Sequence, residues 1–227
     1  IKIPELPMLM QRCVASVKLR TACIESTEDH RYLLCHELHD WFGFATEGVS
    51  TRLLPDQDAD SRVKMVPAGD LPQAVLAADV LVTTAFHAHV VRPVAAMLNK
   101  PYVVVSMHPL AAEILLDRLR NAPMTIVCID PSFGERVRLI AGPEYRDRVR
   151  VVLTGEKKAI GELPPNEPVF ISTAASAQLE RHPPSLVREL PAFSPESAAE
   201  LALLLIRMNI ERAPRPSRKR SRVSTGA

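Results

Sequence analysis

The chain has 227 residues, 47% of them hydrophobic, and a formal net charge of +2, enough for one large domain or two small lobes with a proper core. Only 8 residues are Gly against 20 Pro, and no two Gly stand two apart, which excludes the G-x-G-x-x-G dinucleotide fingerprint. Gly43 and Gly48 have P-loop spacing, but Val49 stands where the phosphate-binding Lys would be needed.

In chain order, residues 1–19 read as a linker. A short strand is expected over 20–24 and a helix over 27–42, where apolar residues recur at helical spacing. A second strand is expected over 49–54, a short helix over 71–78 and a strong strand over 80–84. Then come a helix over 90–98, a strand over 102–106, a helix over 111–119 and a strand over 125–129. A helix over 135–140 precedes strands over 148–153 and 169–172, a short helix over 174–180 and a long helix over 195–209. Runs such as V-L-V-T-T and Y-V-V-V-S are β-branched without alternation, as in strands covered on both faces. Strand–helix alternation of this kind predicts an α/β protein with mostly parallel sheets flanked by helices. Seven strands fit two lobes with a cleft between them, or a single doubly wound sheet.

The apolar runs, such as 201–206, fall far short of the ~20 residues that span a bilayer. The chain starts at Ile1 with no initiator Met and no signal-peptide pattern, so an N-terminal part is expected to be missing. Residues 213–227 carry Arg215, Arg218, Lys219, Arg220 and Arg222 and no acid. Taking those five from +2 leaves the body at −3. The tail reads as basic and disordered, and the body is not expected to bind nucleic acid itself.

In open α/β sheets, ligands collect beyond the carboxyl ends of the strands. Here those ends carry small polar residues and helix caps in place of glycine. They are Glu25, Ser26 and Thr27; Thr83 and Thr84 with Phe86 and His87; Ser106 and His108; Asp130, Ser132 and Phe133; Thr154; and Ser172 with Thr173. Pro109, Pro131 and Pro195 each fit the first position of a helix. Asp130 and Ser194 are natural N-caps, with a competing capping-box register at Ser132 and Glu135. Helix N-termini converging on one cleft would suit a small ligand bearing a carboxylate or other polar oxygens.

Other chemistry finds little support. His87, His89 and His108 follow neighbouring strands, but no metal site is expected from them. In His36-Glu37-Leu38-His39 only two residues separate the histidines, so the H-E-x-x-H zinc motif is not met. His30 is expected at an exposed helix start. No G-x-S-x-G elbow is present. No C-x-x-C occurs among Cys13, Cys23, Cys35 and Cys128, and Cys23 and Cys128 have apolar neighbours. They read as buried free thiols of a reducing cytoplasm. No catalytic residue and no cofactor is expected.

The stretch A-D-V-L-V-T-T-A-F-H-A-H-V-V-R-P-V-A-A-M-L-N-K-P-Y-V-V-V-S-M-H-P, residues 78–109, and F-S-P-E-S-A-A-E-L-A-L-L-L-I-R-M-N, residues 193–209, resemble the C-terminal effector domain of bacterial GntR-type transcription regulators. The resemblance implies a periplasmic-binding-protein-like fold with residues 20–107 and 190–212 in lobe one and 108–189 in lobe two. It implies a small-molecule effector between the lobes, a homodimer, and DNA contacted through an N-terminal winged helix that this sequence lacks. A two-lobed α/β enzyme, with His87, His108 or Asp130 as acid or base, and a solute-binding protein are the alternatives.

Overall fold

The computed structural model describes residues 19–55, 70–163, 169–180 and 192–212. The expectations for residues 1–18 and 213–227 lie outside these, as does Cys13.

The first sheet is built from β1 (Arg20–Glu25), β2 (Ala45–Ser50), β3 (Val80–Thr84) and β4 (Tyr102–Val105) in the order β2-β1-β3-β4. The second contains β5 (Met124–Cys128), β6 (Val149–Leu153) and β7 (Val169–Ile171) in the order β6-β5-β7. Every strand pairing within both sheets is parallel. The protein is therefore two-lobed α/β, and the single continuous sheet is set aside. β3 and β5 are buried at all five positions, as strands covered by helices on both faces must be. β2 is an edge strand and largely exposed, which explains why it lacks an apolar pattern. The strand expected over 49–54 instead starts at Ala45, and Thr51–Leu53 form a 3₁₀ turn.

Eight α-helices are described. In lobe one, α1 (Glu28–Phe42) follows β1, α2 (Gln73–Ala77) precedes β3, and α3 (Ala88–Met97) follows it. Lobe two holds α4 (Pro109–Asn121), α5 (Pro131–Ala141), α6 (Lys157–Gly161) and α7 (Thr173–Ser176). The last helix, α8 (Pro195–Arg212), returns to lobe one, where Leu201, Leu204, Leu205 and Met208 join the core around Cys23, Val82 and Val105.

Local chemistry sets the ends of these elements. Thr27 caps α1 by accepting from the His30 amide, and Gly43 closes it in the left-handed region at φ 66°. Pro109, Pro131 and Pro195 each open their helix. Asp130 caps α5 by accepting from Ser132 N, so Pro131 starts the helix and the competing register is not used. The Lys100 ammonium donates to the carbonyls of Val75, Leu76 and Ala78, closing the end of α2.

Among the described residues, two segments join the lobes, and they lie side by side. Met107 and Phe193 form an antiparallel bridge. His108 N donates to Ala192 O at 2.8 Å, and Ser194 N donates to Ser106 O at 2.9 Å. The carboxyl ends of β1, β3, β5 and β7 contribute to one shared edge.

Candidate functional site

Glu25 ends β1 and is fully buried. A buried carboxylate is tolerated only with donors around it. Its Oε1 accepts from Thr84 N at 2.8 Å and from Thr84 Oγ at 2.6 Å, both on β3. Thr83 Oγ donates to Ile24 O at 2.8 Å, locking the two strand ends together. Oε2 is buried, with no hydrogen bond among the described residues. It lies 3.3 Å from His87 Nε2 and 3.8 Å from Arg136 Nη1.

Arg136 comes from α5 in the other lobe. Its Nη2 donates to Ser26 Oγ and lies 2.9 Å from His87 Nε2. Its guanidinium sits 5.4 Å from the centre of the Phe86 ring, a cation–π contact. Phe86 is 68% exposed, so this ring forms the wet rim of the cluster. Burial holds the His87 imidazole below its ordinary value against the opposing pull of Glu25. A neutral His87 accepts from Arg136 through Nε2, with its proton on Nδ1. The carboxylate then faces the arginine charge rather than an imidazolium.

A second contact lies beside the first. Asp29, in the first turn of α1, is 2% exposed. Its Oδ1 accepts from Ile129 N at 3.1 Å and its Oδ2 from Asp130 N at 2.8 Å. Ser172 Oγ also donates to Oδ1 while accepting from Ala175 N to cap α7. In the reverse direction, Asp130 Oδ2 accepts from Glu28 N at 3.2 Å. Each lobe thus feeds a carboxylate to the start of the other lobe's helix. Backbone and cation contacts hold the Asp130 carboxyl below its usual range despite partial burial, which opposes them.

No family model matches the chain, and no curated protein or solved structure matches it significantly. The site is therefore read from its own geometry.

Of the strand-end residues expected to line a cleft, Glu25, Ser26, Thr27, Thr83, Thr84, Phe86 and His87 lie in or beside the first cluster. Asp130 and Ser172 form the second. Phe133 is buried, its ring 5.0 Å from His30 in an edge-on contact and 6.5 Å from Phe170. His30 is not at an exposed start: it is half-buried, with Nδ1 2.7 Å from Thr27 Oγ. The interface with lobe two covers it.

The other strand ends serve local structure. Ser132 contributes its amide to the Asp130 cap. Thr154 donates to Gln178 Oε1 at 3.1 Å, and Thr173 is the first residue of α7. Ser106 is tied through its backbone to the start of α8. His108 caps α4 and faces an apolar groove with Trp41, Phe42, Phe193, Pro195 and Ala198.

Arg136 and Asp29 were not legible as site residues. Arg136 flanks the buried positions Phe133 and Val137 on α5, and a cation beside an apolar face is the one signal it gave. Asp29 reads simply as an acid favoured by its own helix start. Among the described residues, no group of three His, Cys, Asp or Glu is placed to hold a metal ion. Cys23, Cys35 and Cys128 are free thiols, the first and last buried. Burial, reinforced by the Asp29 charge, pushes Cys128 up to about 12, which is unsuited to a nucleophilic thiolate. No helix among the described residues is long and apolar enough to cross a membrane.

Proposed function

We propose that the chain is the small-molecule sensing part of a bacterial, cytoplasmic transcription regulator of the GntR type. In this reading an effector binds at the shared strand-end edge. The response passes to a dimer whose DNA contacts lie in an N-terminal winged helix outside this sequence. The observation that carries the reading is the Glu25–His87–Arg136 cluster, in which ionisable groups from both lobes meet at buried strand ends. A polar ligand entering there competes for these groups, and so has different affinity for different lobe arrangements. That difference is what an effector needs to shift a conformational equilibrium.

The test is thermal unfolding of the chain against a panel of small carboxylate-bearing metabolites. The expected result is a saturable rise in Tm with no chemical change in the compound. An upstream coding sequence for a winged helix would support the same reading. Catalysed loss of the compound would favour an enzyme, because a buried carboxylate 3.3 Å from an imidazole is also an acid–base arrangement. In that case His87→Ala abolishes turnover and leaves folding intact.

A further inference from the structure

Two thiols meet where α1 packs on the first sheet. Cys23, on β1, is fully buried, and Cys35, on α1, is half-buried and packs against the same apolar cluster. The two side chains share a hydrogen bond. Cys23 stands beside Gly48 in the β1–β2 register. A Cβ at Gly48 would lie 3.7 Å from Cys35 Sγ and 3.3 Å from Arg31 Cβ. Gly48 is exposed on the edge strand, so no side chain at this position covers the Cys35 sulfur. The backbone there is pinned as well, since Thr46 Oγ donates to Cys35 O at 3.1 Å.

The pair is also unequal in acidity. Its contact with Cys35, and then burial, push the Cys23 thiol well above the ordinary value. The Cys23 S–H, with help from Thr46 and the Arg31 charge, holds Cys35 below that value, against burial and Glu47. A partly exposed thiolate beside a second thiol is the arrangement that reactive cysteines share.

We propose that Cys35 is an oxidation site for hydroperoxides and that Cys23 resolves it as an intramolecular disulfide. The Cys35 thiolate attacks one peroxide oxygen and the O–O bond breaks. The departing oxygen takes a proton from solvent and leaves as water or an alcohol. Cys35 is then a sulfenic acid, oxidised by two electrons as the peroxide is reduced. The Cys23 sulfur next attacks the Cys35 sulfur. The S–O bond breaks, and the hydroxide leaves as water with the Cys23 proton. With hydrogen peroxide, two thiols and one peroxide give one disulfide and two waters. The new bond ties β1 to α1, the elements that carry Glu25 and Asp29. The site is separate from the effector reading and does not depend on it.

The test oxidises the full, reduced chain with hydrogen peroxide at neutral pH and maps it by mass spectrometry without reduction. The expected product has lost two hydrogens and yields a peptide pair joined through Cys23 and Cys35. With dimedone present, the sulfenic acid is expected on Cys35. Cys128, which burial pushes up to about 12, is expected to carry at least about tenfold less. Cys23→Ser cannot close the disulfide, so its dimedone adduct at Cys35 is expected to rise about tenfold over the native chain. Cys23→Ala is read in the same way if serine is not tolerated there. If neither variant folds, the map of the native chain decides. Absence of the Cys23–Cys35 linkage overturns the proposal, as does a linkage of Cys35 to Cys13 in its place. Labelling of Cys128 as fast as Cys35 overturns it too, because two packed thiols with only a structural role would show no such selectivity.

Discussion

The two lobes share a plan and differ in charge at the corresponding place. In each, a central strand ends in a two-residue loop and then a helix: β1, Ser26-Thr27 and α1 in lobe one; β5, Ile129-Asp130 and α5 in lobe two. The last strand residue is Glu25 in the first and Cys128 in the second, both fully buried. Lobe one thus presents acids, Glu25 and Asp29. Lobe two answers them with donors, Arg136, two backbone amides and Ser172, and returns one acid, Asp130, to the Glu28 amide. One topology used twice would give two like ends with no reason to meet. Opposite chemistry on matched ends makes each lobe complete the other's hydrogen bonds.

The sharpest way to break this comparison is to remove the paired strand-end residues. Glu25→Ala leaves Arg136 without its counter-charge and strips the acceptor from Thr84. It is expected to cost about 3 kcal/mol in urea unfolding. Cys128→Ala removes a small buried thiol and is expected to cost about 1 kcal/mol. Equal losses would show that the charge at the lobe-one end carries no special weight.

Helix-to-sheet spacing separates the lobes next. A Cβ at Gly134 on α5 would sit 2.6 Å from both γ-carbons of Val151 on β6, whose β-branched side chain has little freedom to move. At Gly48 in lobe one, the nearest atom is Arg31 Cβ at 3.3 Å, close enough to require only a small shift. Gly134→Val is therefore expected to destabilise by about 2 kcal/mol, and Gly48→Ala by about 0.5 kcal/mol. The same denaturant titrations measure both.

The smallest effect is a pH dependence at the junction itself. His87 is held below its ordinary value of 6.5 by burial and by Arg136 and His89, against Glu25. His30 is lowered by burial, Arg136 and His87, against Glu25 and Asp29. The unfolded chain therefore takes up protons before the folded one. Their contribution to stability is complete above about pH 6.5 and is lost as pH falls through the lowered folded values. The Tm is expected to drop between pH 7.5 and 5.5, and His87→Gln is expected to flatten part of that drop. A Tm independent of pH in this window would remove the neutral assignment of His87.

By itself the sequence determined the order and type of nearly every element, because burial on both faces writes continuous apolar runs and capping writes proline and small polar residues. V-L-V-T-T at 80–84 and Pro109, Pro131 and Pro195 at helix starts are legible on those grounds. The edge strand at 45–50 was shifted, because a solvent-exposed edge imposes no apolar pattern. The sequence also placed Glu25, His87, Asp130 and Ser172 at strand ends. Which of these ends face one another is set by how the lobes pack. Arg136 reaches Ser26 across 110 positions, and Asp29 reaches Ile129 across 100. Periodicity assigns a residue to a face of its own element. A partner on the other lobe leaves no periodic mark, because the contact depends on how two separately built sheets come together.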